Sequence, residues 1–163
     1  MMNILILCTG NSARSILGEA LFNARGAGAV TAYSAGSKPK DAPHAGAIAV
    51  LQRNGITTEG LRSKSWVEFE AEDAPVMDAV ITVCDNAASE PCPVWPGAPA
   101  RAHWGLPDPA DATGAEQIRG AFDDTFKALD ARITAALKAG LASAGPAGRS
   151  AILQRVHDQA EPA

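Results

Sequence analysis

Five residues separate Cys8 from Arg14 in the stretch Cys8-Thr9-Gly10-Asn11-Ser12-Ala13-Arg14-Ser15. Four apolar residues, Ile4 to Leu7, run directly into it. These residue types suit one kind of chemistry. Gly10 and Asn11 tolerate positive φ, so the loop can curl with its N–H groups turned inward. Such a nest at the start of a helix attracts a tetrahedral oxyanion, and Arg14 adds a bidentate grip on two oxygens. The same partial positive charge is expected to lower the pKa of Cys8 toward the thiolate, with Ser15 donating a hydrogen bond to the sulfur. The loop thus reads as a nucleophile inside an anion cradle made of Thr9, Gly10, Asn11, Ser12, Ala13, Arg14 and Ser15. It lacks the Gly-Lys-Ser/Thr of an ATP-type loop. The plainer alternative is a core thiol at a strand end and a solvated arginine. The Gly-Asn turn and the Arg-Ser helix start favour the cradle.

Two further thiols, Cys84 and Cys92, make an odd set of three. In a reducing compartment three cysteines are not a disulfide framework. Inert core thiols, a metal site and redox chemistry are the options. A zinc site from Cys84, Cys92 and His103 lacks Cys-x2-Cys spacing and a fourth ligand, so no metal is expected.

The elements that must position these groups alternate between strand and helix. Residues 3–7 read as a buried parallel strand and 15–25 as a helix stopped by Gly26. A second strand spans 29–34, and a second helix spans 43–54 with Pro43 in its first turn. Ser65-Trp66-Val67-Glu68 reads as a capping box opening a short helix. Residues 78–83 form a third buried strand, 84–99 a Pro/Ala/Gly-rich loop, and 100–104 a shorter strand. A second capping box, Thr113-Gly114-Ala115-Glu116, opens the longest helix. Its apolar face is Ile118, Phe122, Phe126, Leu129, Ile133 and Leu137, and Gly140 ends it. A domain over 1–140 is expected, then a flexible tail over 141–163 in which Ile152, Leu153 and Val156 make a short helix or none. Strand–helix alternation implies a parallel sheet covered on both faces, with ligands outside the carboxyl ends of the strands. If the first and third strands are neighbours, Cys8 and Cys84 share one rim.

The chain of 163 residues is 47% hydrophobic and 20% charged, which suits one ordinary globular domain. With a net charge of −4 and no basic cluster, nucleic acid is not an expected partner. No apolar run approaches the roughly 20 residues of a membrane span. The N-terminus has no basic region or cleavage site, so a cytoplasmic location is expected.

The loop so near the N-terminus resembles the phosphate-binding loop of the low-molecular-weight protein tyrosine phosphatases and their arsenate reductase relatives. Tyr33-Ser34-Ala35-Gly36 and Asp108-Pro109 extend the resemblance, which covers about residues 3–138. It implies an α/β fold, a flavodoxin-like four-stranded parallel sheet of order 2-1-3-4. It also implies Cys8 as nucleophile and Asp108 as the general acid that protonates a leaving oxygen. Asp111 is a weaker candidate for the acid.

Two features separate the branches. Phosphatases of this type usually carry tyrosines after the Asp-Pro; here Ala110-Asp111 follows, and the only tyrosine is Tyr33. A hydrolase has no use for Cys84 and Cys92, whereas a three-cysteine arsenate reductase does. The resemblance therefore implies a relay: a Cys8–Cys84 disulfide, then a Cys84–Cys92 disulfide reduced by thioredoxin or by glutaredoxin with glutathione. The interval between Cys84 and Cys92 is one residue longer than is common in that type. The alternatives are a phosphatase acting on phosphotyrosine or small phosphate esters, and a non-catalytic anion or redox sensor. No cofactor is expected beyond a structural potassium ion, which some relatives hold near a network like that of Asn11 and Ser34. Lys38 and Lys40 could steer an anion, and Trp104 could wall an aromatic slot. His44 reads as a helix-terminus residue and His103 as strand-end packing.

Overall fold

The computed structural model describes residues 1–84 and 99–160. Four strands, β1 (Met2–Leu7), β2 (Val30–Ala35), β3 (Ala79–Thr82) and β4 (Ala100–His103), form a parallel sheet in the order β2-β1-β3-β4. Four α-helices accompany them among the described residues: α1 (Arg14–Arg25), α2 (Ala45–Arg53), α3 (Ala115–Lys138) and α4 (Pro146–Asp158). The expected topology is the one found.

Alternation along β1 explains the layers. Ile4 and Ile6 face the larger core, where they meet Leu17, Leu21 and Phe22 of α1, Val50 and Leu51 of α2, and Phe122, Leu129 and Ile133 of α3. Leu5 and Leu7 face the other way, against Phe69, Met77 and Val80, with Tyr33 and Trp66 at the edge. The smaller face is covered, among the described residues, by the 3-10 helix Trp66–Phe69. Ser65 Oγ accepts from Val67 N at its start, as expected. Glu68 does not complete the box but pairs with Arg62 at 2.6 Å.

Register sets the rim. Leu7 lies opposite both Ala35 and Thr82, and Thr82 lies opposite His103. All four strands therefore end together, and Cys8 and Cys84 leave neighbouring strands at the same edge.

Three local expectations are corrected. The N-cap of α2 is His44, whose Nδ1 accepts from Gly46 N at 2.9 Å, so Pro43 lies before the helix and not in its first turn. Gly114, at φ 91°, caps α3 without a side-chain bond, so Thr113 makes no capping box. Within the expected tail, residues 141–160 pack on the domain. Leu141, Ile152, Leu153 and Val156 are buried in the larger core, and Leu153 O accepts from Trp104 Nε1 at 2.8 Å. The composition of 139–148 suggests flexibility, but three apolar residues at helical spacing are enough to dock the segment.

Candidate active site

The loop between β1 and α1 is laced to its surroundings through its carbonyl groups. Thr9 O accepts from Lys38 N at 3.0 Å, Gly10 O from Lys40 N at 2.9 Å, and Ser12 O from His44 N at 2.8 Å. Asn11 O accepts from Ser63 Oγ at 2.6 Å. With the carbonyls held from outside, the planar peptides turn their N–H groups the other way. The N–H groups of Asn11, Ser12, Ala13 and Arg14 donate to no acceptor among the described residues. The N-cap of α1 is Ala13, with no side-chain cap, so the helix start also keeps its donors.

A cavity of about 220 Å³ opens here, lined by Cys8, Thr9, Gly10, Ser12, Ala13, Arg14, Lys38, Lys40, Cys84 and Asp108. Arg14 Nη1 donates to Leu106 O at 2.8 Å, and Nη2 lies 3.6 Å from Asp108 Oδ2. Its Nε is buried and has no partner among the described residues, an unusual state for a guanidinium and one that an oxyanion would relieve. Asp108 is the N-cap of the 3-10 helix Pro109–Asp111 and accepts from Ala110 N at 3.0 Å. Its side chain is 31% exposed, open to the cavity mouth. Cys84 is buried, with Thr9 Oγ1 3.7 Å from its sulfur. Two thiols, a guanidinium and a carboxyl thus share one small cavity.

Residues 3–145 match the sequence model of the low molecular weight phosphotyrosine protein phosphatases. The chain belongs to that family. Within it, the arsenate reductase of Bacillus licheniformis is 34% identical over 119 residues, 73% of this chain and 82% of that protein. The glutaredoxin arsenate reductase of Synechocystis sp. is 30% identical over 137 residues, 82% of this chain and 100% of that protein. Among solved structures, an arsenate reductase from Archaeoglobus fulgidus superposes with a TM-score of 0.63 at 25% identity, over 80% of this chain and 95% of that one.

This member of the phosphotyrosine phosphatase family departs from the sequence expectations in four respects. Asn11 alone takes positive φ in the loop, at 44°; Gly10 does not. Ser15 Oγ accepts from Asn11 Nδ2 at 2.8 Å and forms no bond to Cys8 among the described contacts. Trp104 is buried against Phe22, with ring centroids 6.0 Å apart, and Tyr33 packs on Phe69, so neither walls the cavity. Asp111 is exposed and outside the cavity lining. Cys92 lies outside the described residues.

The expected depression of the Cys8 pKa is also reversed. With Cys84 beside it, Cys8 is pushed up, first by the hydrogen bond with the Cys84 side chain and then by burial. Arg14 and the Gly10 N–H pull the other way. The sign gives a prediction. Removing the largest raising cause, by Cys84→Ala, should move the pH midpoint of Cys8 alkylation to lower pH. Arg14→Met should move it to higher pH. Iodoacetamide labelling rates of the Cys8 peptide, read by mass spectrometry across pH, check both directions.

The network expected of Asn11 and Ser34 is present, with Asn11 Nδ2 also donating to Ser34 Oγ at 2.9 Å. Sequence reasoning missed the groups behind it: Ser34 Oγ donates to Glu19 Oε1 at 2.6 Å. Glu19 lies one helical turn beyond Ser15, a spacing that could have flagged it. A Cβ on Gly36 would run into the carbonyl oxygens of Thr9 and Cys8, which explains a glycine after Ala35. The Leu106 carbonyl and Lys64 gave no signal.

Proposed function

We propose that the chain is a cytoplasmic arsenate reductase that moves electrons from thiols to a captured arsenate. The observation that carries this reading is the pairing of Cys8 and Cys84 at the rim of one cavity with Arg14 and Asp108. Arsenate is nearly isosteric with phosphate, so a phosphate cradle accepts it. Arsenic(V) accepts two electrons, whereas phosphorus(V) does not under these conditions.

The loop N–H groups, Arg14 and the nearby Lys38 and Lys40 bind the oxyanion. The Cys8 thiolate attacks arsenic, an As–O bond breaks, and Asp108 protonates the departing oxygen. The Cys84 thiolate then attacks the Cys8 sulfur. The S–As bond breaks with its electron pair going to arsenic, so arsenite leaves and a Cys8–Cys84 disulfide remains. The Cys92 thiolate attacks Cys84 and frees Cys8 as a thiolate. The Cys84–Cys92 disulfide that results is reduced by an external dithiol of the thioredoxin or glutaredoxin type, with glutathione for the latter. The name of the Synechocystis relative supports a thiol reductant.

The alternative, phosphatase activity, uses the same cradle. The cavity lining favours the inorganic oxyanion, since no aromatic side chain lines it among the described residues and two lysines do. No described helix is long and apolar enough to cross a membrane, which fits a cytoplasmic site. The deciding assay is arsenate-dependent NADPH oxidation through thioredoxin and its reductase, or through glutaredoxin, glutathione and its reductase, run beside p-nitrophenyl phosphate hydrolysis. Arsenate turnover with either reductant is the expected result. Ester hydrolysis with no arsenate turnover under both reductants would overturn the reading.

A further inference from the structure

Behind the anion loop lies a buried charge that the relay does not use. Lys64 is 8% exposed. Its Nζ donates to Arg62 O at 2.9 Å and lies 3.4 Å from Glu19 Oε1. That same carboxylate oxygen accepts from Ser34 Oγ, whose oxygen accepts from Asn11 Nδ2. The backbone of Lys64 closes the ring, its N–H donating to Asn11 Oδ1 at 2.9 Å. Both ends of Lys64 therefore hold Asn11, the residue at φ 44° on which the curl of the loop depends. Its backbone does so directly, and its ammonium does so through Glu19 and Ser34.

We propose that the Lys64 ammonium is the resident cation of this network, a built-in substitute for the potassium ion that the family resemblance implies beside Asn11 and Ser34. The residues present do not fit such an ion. The negative charge of the network is Glu19, and Lys64 already neutralises it from within a shared buried space. A potassium ion on the same carboxylate would meet the ammonium as a like charge. Arg62 and Glu68, which also face Lys64, pair with each other at the surface. Lys64 is thus a positioning residue. It fixes Asn11, Asn11 fixes the loop, and the loop presents its N–H groups to the anion. The inference rests on the loop being an anion site and is independent of the redox steps.

The test uses inorganic phosphate as probe, with titration calorimetry and thermal melting at constant ionic strength in potassium, sodium or choline chloride. The unsubstituted protein should show phosphate affinities within about twofold and melting temperatures within about 1 °C across the three salts. Lys64→Met should weaken phosphate binding about tenfold, and Lys64→Arg should recover most of that loss. Lys64→Asp should bind phosphate more tightly in potassium than in choline chloride, a response that a merely structural lysine would not create. A saturable, potassium-specific gain in the unsubstituted protein would overturn the proposal, whether or not any variant folds. So would a folded Lys64→Met that binds phosphate as tightly as its parent.

Discussion

Cys84→Ala is expected to cut steady-state arsenate turnover by about a thousandfold or more, while p-nitrophenyl phosphate hydrolysis stays within about threefold of the parent. Alanine cannot attack the Cys8 sulfur, so each molecule halts with arsenic bound to Cys8 and no electrons delivered. The cradle itself survives. Its donors are backbone N–H groups of the loop and the Arg14 guanidinium, and Cys84 supplies none of them. Loss of the thiol also removes the main group holding the Cys8 pKa up, so more thiolate is present and ester attack is not slowed. A redox step and a hydrolytic step on one nucleophile are thereby separated by a single atom. Retained arsenate turnover in this variant would show that Cys84 is not the second thiol of the relay.

The second large effect is expected at Asp108. Asp108→Asn should slow the first chemical step by about 10²- to 10⁴-fold, the usual scale for a positioned general acid. Phosphate affinity should remain within about threefold, which single-turnover quench and calorimetry check separately. The geometry supports the split. Asparagine still accepts from Ala110 N, so the cap of Pro109–Asp111 is kept. Arg14 loses a carboxylate neighbour 3.6 Å away and keeps its bond to Leu106 O, so its hold on an anion is not weakened. The loss falls on proton delivery alone. A fall in affinity with an unchanged chemical step would move the acid elsewhere.

The sheet was readable from the sequence because its strands are unusually explicit. Ile4 to Leu7 is apolar throughout and the run from Ala79 to Val83 is broken only by Thr82, the mark of strands buried on both sides, and that places Cys8 and Cys84 after strand ends. The loop between β1 and α1 was readable because Gly-Asn and Arg-Ser are turn and helix-start signals at fixed offsets from a thiol. The tertiary sources of support were not. Whether Ser15 donates to Cys8 or accepts from Asn11 depends on Ser34 and Lys64, brought in from other parts of the chain. The direction of the Cys8 shift depends on a residue 76 positions later standing next to it, which local pattern does not encode. Trp104 looked available as a slot wall because its exposure is decided by α4, whose Ala/Gly-rich approach hides a docking helix.

Thiol mapping by mass spectrometry after one equivalent of arsenate, without any reductant, tests the relay most directly. The unsubstituted protein should yield a Cys84–Cys92 disulfide with Cys8 as a thiol, and Cys92→Ser should stop at Cys8–Cys84 with one arsenite released per chain. Three unmodified thiols alongside intact arsenate, or a disulfide that never includes Cys84, would contradict it.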